Sequence, residues 1–101
     1  MKNFRTYQLA KSFYQDCQSL KLTQPAKDQF DRALLSVLLN LAEGSAKPTA
    51  KDRQKFYSIA LGSLREVQVL LELTGAQSLI QASDTVAACL FCLIRNSGGR
   101  A

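Results

Sequence analysis

The chain has 101 residues and a net charge of +5, with 47% of its residues apolar and 21% charged. This length and composition indicate one globular domain, residues 1–96, with a frayed tail at residues 97–101, and they exclude an intrinsically disordered chain. No uncharged run reaches the ~20 residues that span a bilayer, and the N-terminus has no apolar signal core, so we expect a cytoplasmic protein without a membrane segment.

Apolar spacing predicts four helices and no strand. The predicted helices cover about residues 4–20, 24–43, 50–74 and 77–95. Gly44 and Gly75 are predicted to end the second and third helices, and Thr49 to cap the start of the third. Because short loops favour antiparallel neighbours, the sequence predicts an all-α, antiparallel up-down-up-down four-helix bundle.

The second and third helices carry more apolar residues than one core-facing stripe needs. The residues of this second stripe that we assign to an oligomer interface are Leu35, Leu39, Tyr57, Leu61 and Leu64, with Ala42 and Leu71 beside them. A monomer would leave much of this surface in water, so we expect a homo-oligomer. The alternative is a splayed bundle that buries both stripes internally.

A polar layer is predicted on the same two helices, away from the Phe30 core side on the second helix and beside the core stripe on the third. Its members are Arg32, Ser36, Asn40 and Glu43 on the second helix and Gly62, Ser63 and Glu66 on the third. Small side chains let a neighbouring backbone approach closely, and the two carboxylates would need cationic or N–H partners if they were buried. We interpret this set as structural hydrogen bonding, because no histidine and no third acidic residue accompany the carboxylates.

The chain has no histidine and three cysteines, of which Cys89 and Cys92 form a C-x-x-C pair inside an apolar run. A zinc site would require two further ligands, so we interpret these cysteines as buried structural thiols and keep metal or redox chemistry as the alternative. Since the commonest general base is missing, we predict a protein that is not an enzyme and that binds no metal or cofactor.

The segment after Gly44 is basic, with four cations opposed by Asp52. We predict nucleic-acid contacts at Lys47, Lys51, Arg53, Lys55 and, more distantly, Arg95. Lys51 and Lys55 share a helical face, whereas Arg53 points elsewhere. Such a basic surface is suited to the phosphates of a nucleic acid. The alternatives are that it binds an acidic protein or that it is simply solvated. Base stacking on Tyr7, Phe56 or Tyr57 is the alternative to a core role for these rings.

The middle of the chain resembles a known family. On the second helix the resemblance rests on Arg32, Ala33, Ser36 and the run Asn40–Gly44, in which Leu41 replaces an isoleucine. On the third helix it rests on Phe56, Ala60, Gly62, Ser63 and Glu66. These residues resemble the signature of the four-helix-bundle proteins encoded by intervening sequences of bacterial 23S ribosomal RNA genes. The first loop, LKLTQPAKDQ, departs from the family's Phe-Pro pattern.

The resemblance implies a cytoplasmic bacterial bundle that assembles as a ring of five copies, a homopentamer, and has no catalytic activity. Similar proteins are accessory factors of diversity-generating retroelements, in which a basic ring binds RNA and a reverse transcriptase. The implied partners are therefore other copies of the chain, RNA or DNA, and in the retroelement branch a reverse transcriptase. The alternative function is a protein-interaction module that docks such a partner through its apolar helix faces.

Overall fold

The computed structural model describes residues 5–96. These residues form four helices: α1 (Arg5–Cys17), α2 (Ala26–Ser45), α3 (Ala50–Thr74) and α4 (Gln77–Arg95). No strand occurs between residues 5 and 96, so the prediction of an all-α four-helix bundle is confirmed for this range. The predicted first residue of helix one and the predicted tail at residues 97–101 lie outside the described residues.

Each helix packs against two others. α3 lies against α2 and α4, and α1 lies against the same two helices. α1 buries Thr6, Ala10, Phe13 and Cys17 on one side, at the spacing of an amphipathic helix. It ends three residues before the predicted boundary, because the Leu20 N–H bonds to the Cys17 carbonyl in a tighter turn.

The end of α2 differs from its prediction at Gly44. Gly44 does not terminate the helix: it is buried in the last turn, and α2 continues to Ser45. A Cβ at this position would lie 2.9 Å from Phe56 Cβ and 3.0 Å from Tyr57 Cε1. The glycine is therefore needed for close packing of α2 on α3 rather than for a turn.

Both ends of α3 form as predicted. Thr49 Oγ1 accepts a hydrogen bond from the Asp52 N–H at 3.2 Å, which caps the N-terminus. At the other end Gly75 adopts a φ of +73°, and its N–H donates to the Leu71 carbonyl at 3.0 Å. This left-handed residue stops the helix without the steric clash that a side chain would cause.

The interface prediction is wrong for part of α3. Tyr57, Leu64 and Leu71 are completely buried within the single chain. α3 packs against α2 on one side and α4 on the other, so it has apolar contacts on two sides of its circumference. Internal burial, which was part of the alternative, therefore holds for these three residues. Leu61 is half-buried. Leu35 and Leu39 on α2 do face outward, 46% and 60% exposed.

α4 is apolar around most of its circumference. It is the one helix in the described part of the chain that is long and apolar enough, by length and composition, to cross a membrane, with a mean hydropathy of 1.4. A core helix can meet the same criterion as a membrane span, and in this helix Val86, Ala87 and Leu90 pack into the core. The thiol prediction is wrong for Cys92, which is exposed, whereas Cys89 is half-buried. The apolar run is wider than the face that α4 buries.

Candidate nucleic-acid interface

One end of the bundle collects most of the predicted cations. The loop between α2 and α3 lies at this end, and the last turn of α4 joins it there, because Gln54 Nε2 donates a hydrogen bond to the Ile94 carbonyl at 2.9 Å. Arg95 follows Ile94 directly, so the contact brings it to the same end as Lys51 and Lys55. We call the set Lys47, Lys51, Arg53, Lys55 and Arg95 the basic end.

Lys51 and Lys55 are the most available cations of the basic end. Both are exposed and lie one helical turn apart on α3. Within residues 5–96 neither side chain takes part in an ion pair. Lys55 Nζ lies 5.6 Å from the centroid of the Phe56 ring, a cation–π contact. These two ammonium groups can approach phosphates without first breaking a salt bridge.

Lys47 has a competing partner. Its Nζ lies 2.8 Å from Glu43 Oε2, one turn earlier on the chain. The hydrogen bond to Glu43, together with the charge of that carboxylate, raises the pKa of Lys47. Lys47 therefore stays protonated, but Glu43 offsets much of its charge. Its ammonium also lies 5.1 Å from the Phe56 centroid, so Phe56 contacts two lysines.

Arg53 points back onto the loop. Its Nη1 donates to the carbonyls of Lys47 at 3.1 Å and Pro48 at 3.0 Å. These bonds fix the loop that carries Lys47, so Arg53 orders the basic end as well as adding charge to it. The sequence placed Arg53 on a different face from Lys51 and Lys55, but the loop contact could not be foreseen without the fold.

The centre of the polar layer forms a half-buried hydrogen-bond cluster between α2 and α3. The hydroxyls of Ser36 and Ser63 lie 2.8 Å apart. Asn40 Nδ2 donates to the Ser36 carbonyl at 2.9 Å and to Ser36 Oγ at 3.0 Å. The three side chains that the sequence grouped therefore meet, and they satisfy one another as polar groups at a helix interface must.

The remaining members of the predicted layer lie apart from this cluster. Arg32 and Glu66 form an exposed ion pair at 2.5 Å that bridges α2 and α3. Glu43 is exposed and pairs with Lys47. Gly62 is exposed, and a Cβ added there would meet no neighbouring atom within 4 Å, so the expectation that it admits a close neighbour is wrong for the single chain. That role belongs to Gly44.

Sequence reasoning missed a recess between α3 and α4. Its volume is about 360 Å³, and it is lined by Arg65, Asp84, Ala87, Ala88 and Phe91. Phe91 is 49% exposed, and the Arg95 guanidinium carbon lies 5.7 Å from its ring centroid. The spacing of Asp84, Ala88, Phe91 and Arg95 along one side of α4 was the available signal. It was obscured by the continuous apolar run around them.

The acidic and cysteine side chains of the described residues are dispersed. Within residues 5–96 no three His, Cys, Asp or Glu side chains are grouped as a metal site would need. Burial, with a smaller contribution from the charge of Asp16, raises the pKa of the Cys17 thiol to about 12. A thiol that stays protonated at neutral pH is a poor nucleophile.

Comparison with known proteins identifies the family. A family model described as 23S rRNA-intervening sequence protein matches residues 2–90. The chain belongs to this family. The match covers α1, α2 and α3 and most of α4, including every residue on which the resemblance rests, and it ends just before Phe91. Neither a curated protein nor a solved structure gives a match to this member of the family.

Proposed function

We propose that this member of the family is a non-enzymatic, cytoplasmic, oligomeric helical bundle that binds RNA or other nucleic acid through phosphate contacts, as an accessory factor. The observation that carries the proposal is the basic end, where Lys51 and Lys55 are exposed and take part in no ion pair within residues 5–96. Lysine ammonium groups act as point charges, so the contacts position a polyanion without reading its sequence.

An antiparallel, up-down-up-down arrangement accounts for the basic end. Arg32, early in α2, contacts Glu66, late in α3, whereas Gly44, at the end of α2, lies against Phe56, at the start of α3. In the same way Gln54, early in α3, binds the Ile94 carbonyl, late in α4. Such an arrangement brings the α2–α3 loop and the end of α4 together.

Assembly of several copies would enlarge the basic surface, which is small in one chain. The bundle measures 40 × 22 × 21 Å, so its narrow end offers room for only a few phosphates. Leu35 and Leu39 leave α2 with an outward apolar strip that a second copy can cover. A ring of five copies, as the resemblance implies, would repeat the basic end five times, and multivalency would then raise the overall affinity.

The charge-reversed variant Lys51→Glu/Lys55→Glu tests the proposal. RNA binding, measured by fluorescence anisotropy at several salt concentrations, should weaken by roughly 10- to 100-fold, and the dependence of log affinity on log salt should lose about two units of slope. Lys11→Glu/Lys21→Glu changes the net charge equally at exposed positions outside the basic end and should bind nearly as wild type. Unchanged affinity in the Lys51/Lys55 variant would refute the proposal.

A second candidate function is a protein-interaction module that docks a partner such as a reverse transcriptase. The exposed pair Leu35 and Leu39 favours it, because the buried centre of a protein interface is built from apolar side chains. A pull-down separates the two candidates. The protein and a reverse transcriptase are co-expressed, the extract is treated with nuclease, and capture of the reverse transcriptase by wild type is compared with capture by the charge-reversed variant. Capture that survives both nuclease and Lys51→Glu/Lys55→Glu favours the module, whereas capture lost with either favours an RNA-mediated association.

A further inference from the structure

Phe91 is an exposed ring next to a cation. It is the one aromatic residue among the exposed large apolar side chains of residues 5–96, and about half of its surface is in contact with water. Arg95 lies one turn further along α4, with its guanidinium carbon 5.7 Å from the ring centroid. The core does not require this ring at the surface, since Leu90 next to it already occupies the buried position.

The recess beside Phe91 is lined by two alanines and two charged side chains as well as by the ring itself. Asp84, Ala87 and Ala88 line it from α4, and Arg65 lines it from α3. Phe91 is a lining residue and is 49% exposed, so part of its ring is open to the recess. Its volume of about 360 Å³ falls at the lower end of the range of ligand pockets in proteins, so it suits a planar group rather than a folded peptide.

Hydrogen bonds hold Arg65 in place. Its Nη1 donates to Gln68 Oε1 at 2.8 Å. The buried Gln68 amide in turn donates to Ser83 Oγ at 3.0 Å and to Asp84 Oδ1 at 2.9 Å. Because this network uses one of the five guanidinium N–H donors, the others are free to meet an anion in a fixed position.

Asp84 determines which part of a nucleotide suits the recess. Its carboxylate lines the recess together with Arg65, so a phosphate inside the recess would meet a like charge. An uncharged base would not, and its π face can lie against the Phe91 ring. Phosphates are better placed at the rim, near Arg95 and the outer side of Arg65.

The Phe91 side of the recess lies one helical turn from Arg95, a member of the basic end. Arg95 follows Ile94, whose carbonyl binds Gln54, one residue before Lys55. At a rise of about 1.5 Å per residue, the side of α4 from Asp84 to Ile94 is about 15 Å long. A strand whose phosphates contact Lys51 and Lys55 can therefore continue along α4 past Arg95.

From this arrangement we propose that Phe91 is a stacking platform for an unpaired base of single-stranded RNA, with Arg95 and Arg65 binding the flanking phosphates. The inference rests on the proposed function and adds a preference for single strands. Aromatic platforms in a cationic groove are how single strands are held without sequence reading. Bases of a duplex are already stacked on one another and do not present a free face.

The decisive variant is Phe91→Leu, which keeps an apolar side chain of similar size and removes the flat ring. The probe is a single-stranded RNA of about 15 nucleotides carrying 2-aminopurine, and the same strand annealed to its complement. The variant should bind the single strand roughly 5- to 150-fold more weakly, which corresponds to the ~1–3 kcal/mol that one stacked base contributes. Duplex affinity and the salt slope should stay unchanged, because no charge is removed.

A second readout reports stacking itself. Quenching of 2-aminopurine on binding should be present with wild type, weaker with Phe91→Leu and restored with Phe91→Tyr. Leu73→Ala is the matched control, because Leu73 is 79% exposed at the far end of α3. It should leave both readouts at wild-type values. Circular dichroism should give the same helix content for all four proteins, since the substituted positions are at the surface.

The outcomes separate this inference from the proposed function. If Lys51→Glu/Lys55→Glu abolishes RNA binding while Phe91→Leu binds and quenches as wild type, the stacking platform is refuted and the phosphate surface stands. If wild type binds neither probe, both proposals fail. If Phe91→Leu changes only the oligomeric state or the capture of a protein, Phe91 is a protein contact and the inference is overturned.

Discussion

Lys47 and Lys51 lie on opposite sides of Thr49, yet their neighbours make them chemically different. Lys47 is paired with Glu43, and Lys51 has no ion pair within residues 5–96. The sequence predicted both as equal members of a basic surface, because it shows charge and spacing but not which carboxylate comes within hydrogen-bond distance. For the same reason it could not show that Arg53 binds its own loop.

Cys17 gives a prediction at the residue scale that concerns alkaline stability. Burial raises the pKa of this thiol from its ordinary 9.0 to about 12 in the folded protein. The Cys17 thiol thus binds its proton more tightly in the folded state than in the unfolded state. The contribution of the protonated thiol to the free energy of unfolding is therefore complete below pH 9 and decreases as the pH rises from 9 toward 12. The free energy of unfolding should fall with pH more steeply in wild type than in Cys17→Ala.

Urea unfolding at pH 8, 9, 10 and 11 measures this slope. Cys17→Ala should be less stable at every pH, because it leaves a cavity, but the comparison concerns the change with pH and not the absolute value. Cys92→Ala, which removes an exposed thiol, is the matched control for the loss of a cysteine. Parallel curves for wild type and Cys17→Ala would contradict the raised pKa.

At the scale of the helices, residues close together in the sequence were sufficient to predict where α3 begins and ends. They were not sufficient to predict which faces of the helices are buried. Thr49 and Gly75 act within one turn of their own backbone, so their roles could be predicted from the sequence. The second apolar stripe of α3 and the burial of Gly44 depend on which helices lie beside them. A pattern within one helix gives the width of its apolar arc but not the number of neighbours that cover it.

Gly44 and Gly62 provide a matched prediction on helix packing. Alanine is favoured over glycine inside a helix by about 1 kcal/mol. At Gly62 the added methyl meets open space, so Gly62→Ala should stabilise the protein by up to about 1 kcal/mol. At Gly44 the methyl would meet Phe56 Cβ at 2.9 Å and the buried Tyr57 ring at 3.0 Å, and α2 would have to move away from α3.

Gly44→Ala should therefore destabilise the protein, by up to about 2 kcal/mol once the gain in helix propensity of about 1 kcal/mol is subtracted from the overpacking cost of typically 1–3 kcal/mol. Urea or thermal unfolding of both variants under identical conditions measures the two effects with opposite signs. If Gly44→Ala were as stable as wild type or more stable, the close contact between α2 and α3 would not be a constraint on this residue.

At the scale of the whole molecule, the proposed RNA binding and the proposed association of copies use different surfaces of the same bundle. The narrow end of the bundle carries the cations, and the long side of α2 carries Leu35 and Leu39. A chain of this size supports a core of only modest extent, so contact between copies would add apolar burial that one chain cannot supply. Association through the sides of the bundles would leave the basic ends free and bring them together.

Leu35→Glu/Leu39→Glu tests this geometry by placing two charges on the exposed strip of α2. In sedimentation velocity at micromolar concentration, wild type should sediment as an oligomer and the variant as a single 11.1 kDa chain with unchanged helix content. Because multivalency raises affinity by ~100-fold or more, the monomeric variant should also lose RNA affinity by a factor of that order, although its basic end is intact.

Val69→Glu/Leu73→Glu is the matched control, since it introduces the same charges at exposed apolar positions of α3. This control should sediment as wild type and bind RNA as wild type. If it dissociates while the α2 variant stays assembled, the interface lies on α3 and the α2 strip has another role. A wild-type protein that sediments as a monomer and binds RNA tightly would separate the two activities, because a single basic end would then be sufficient.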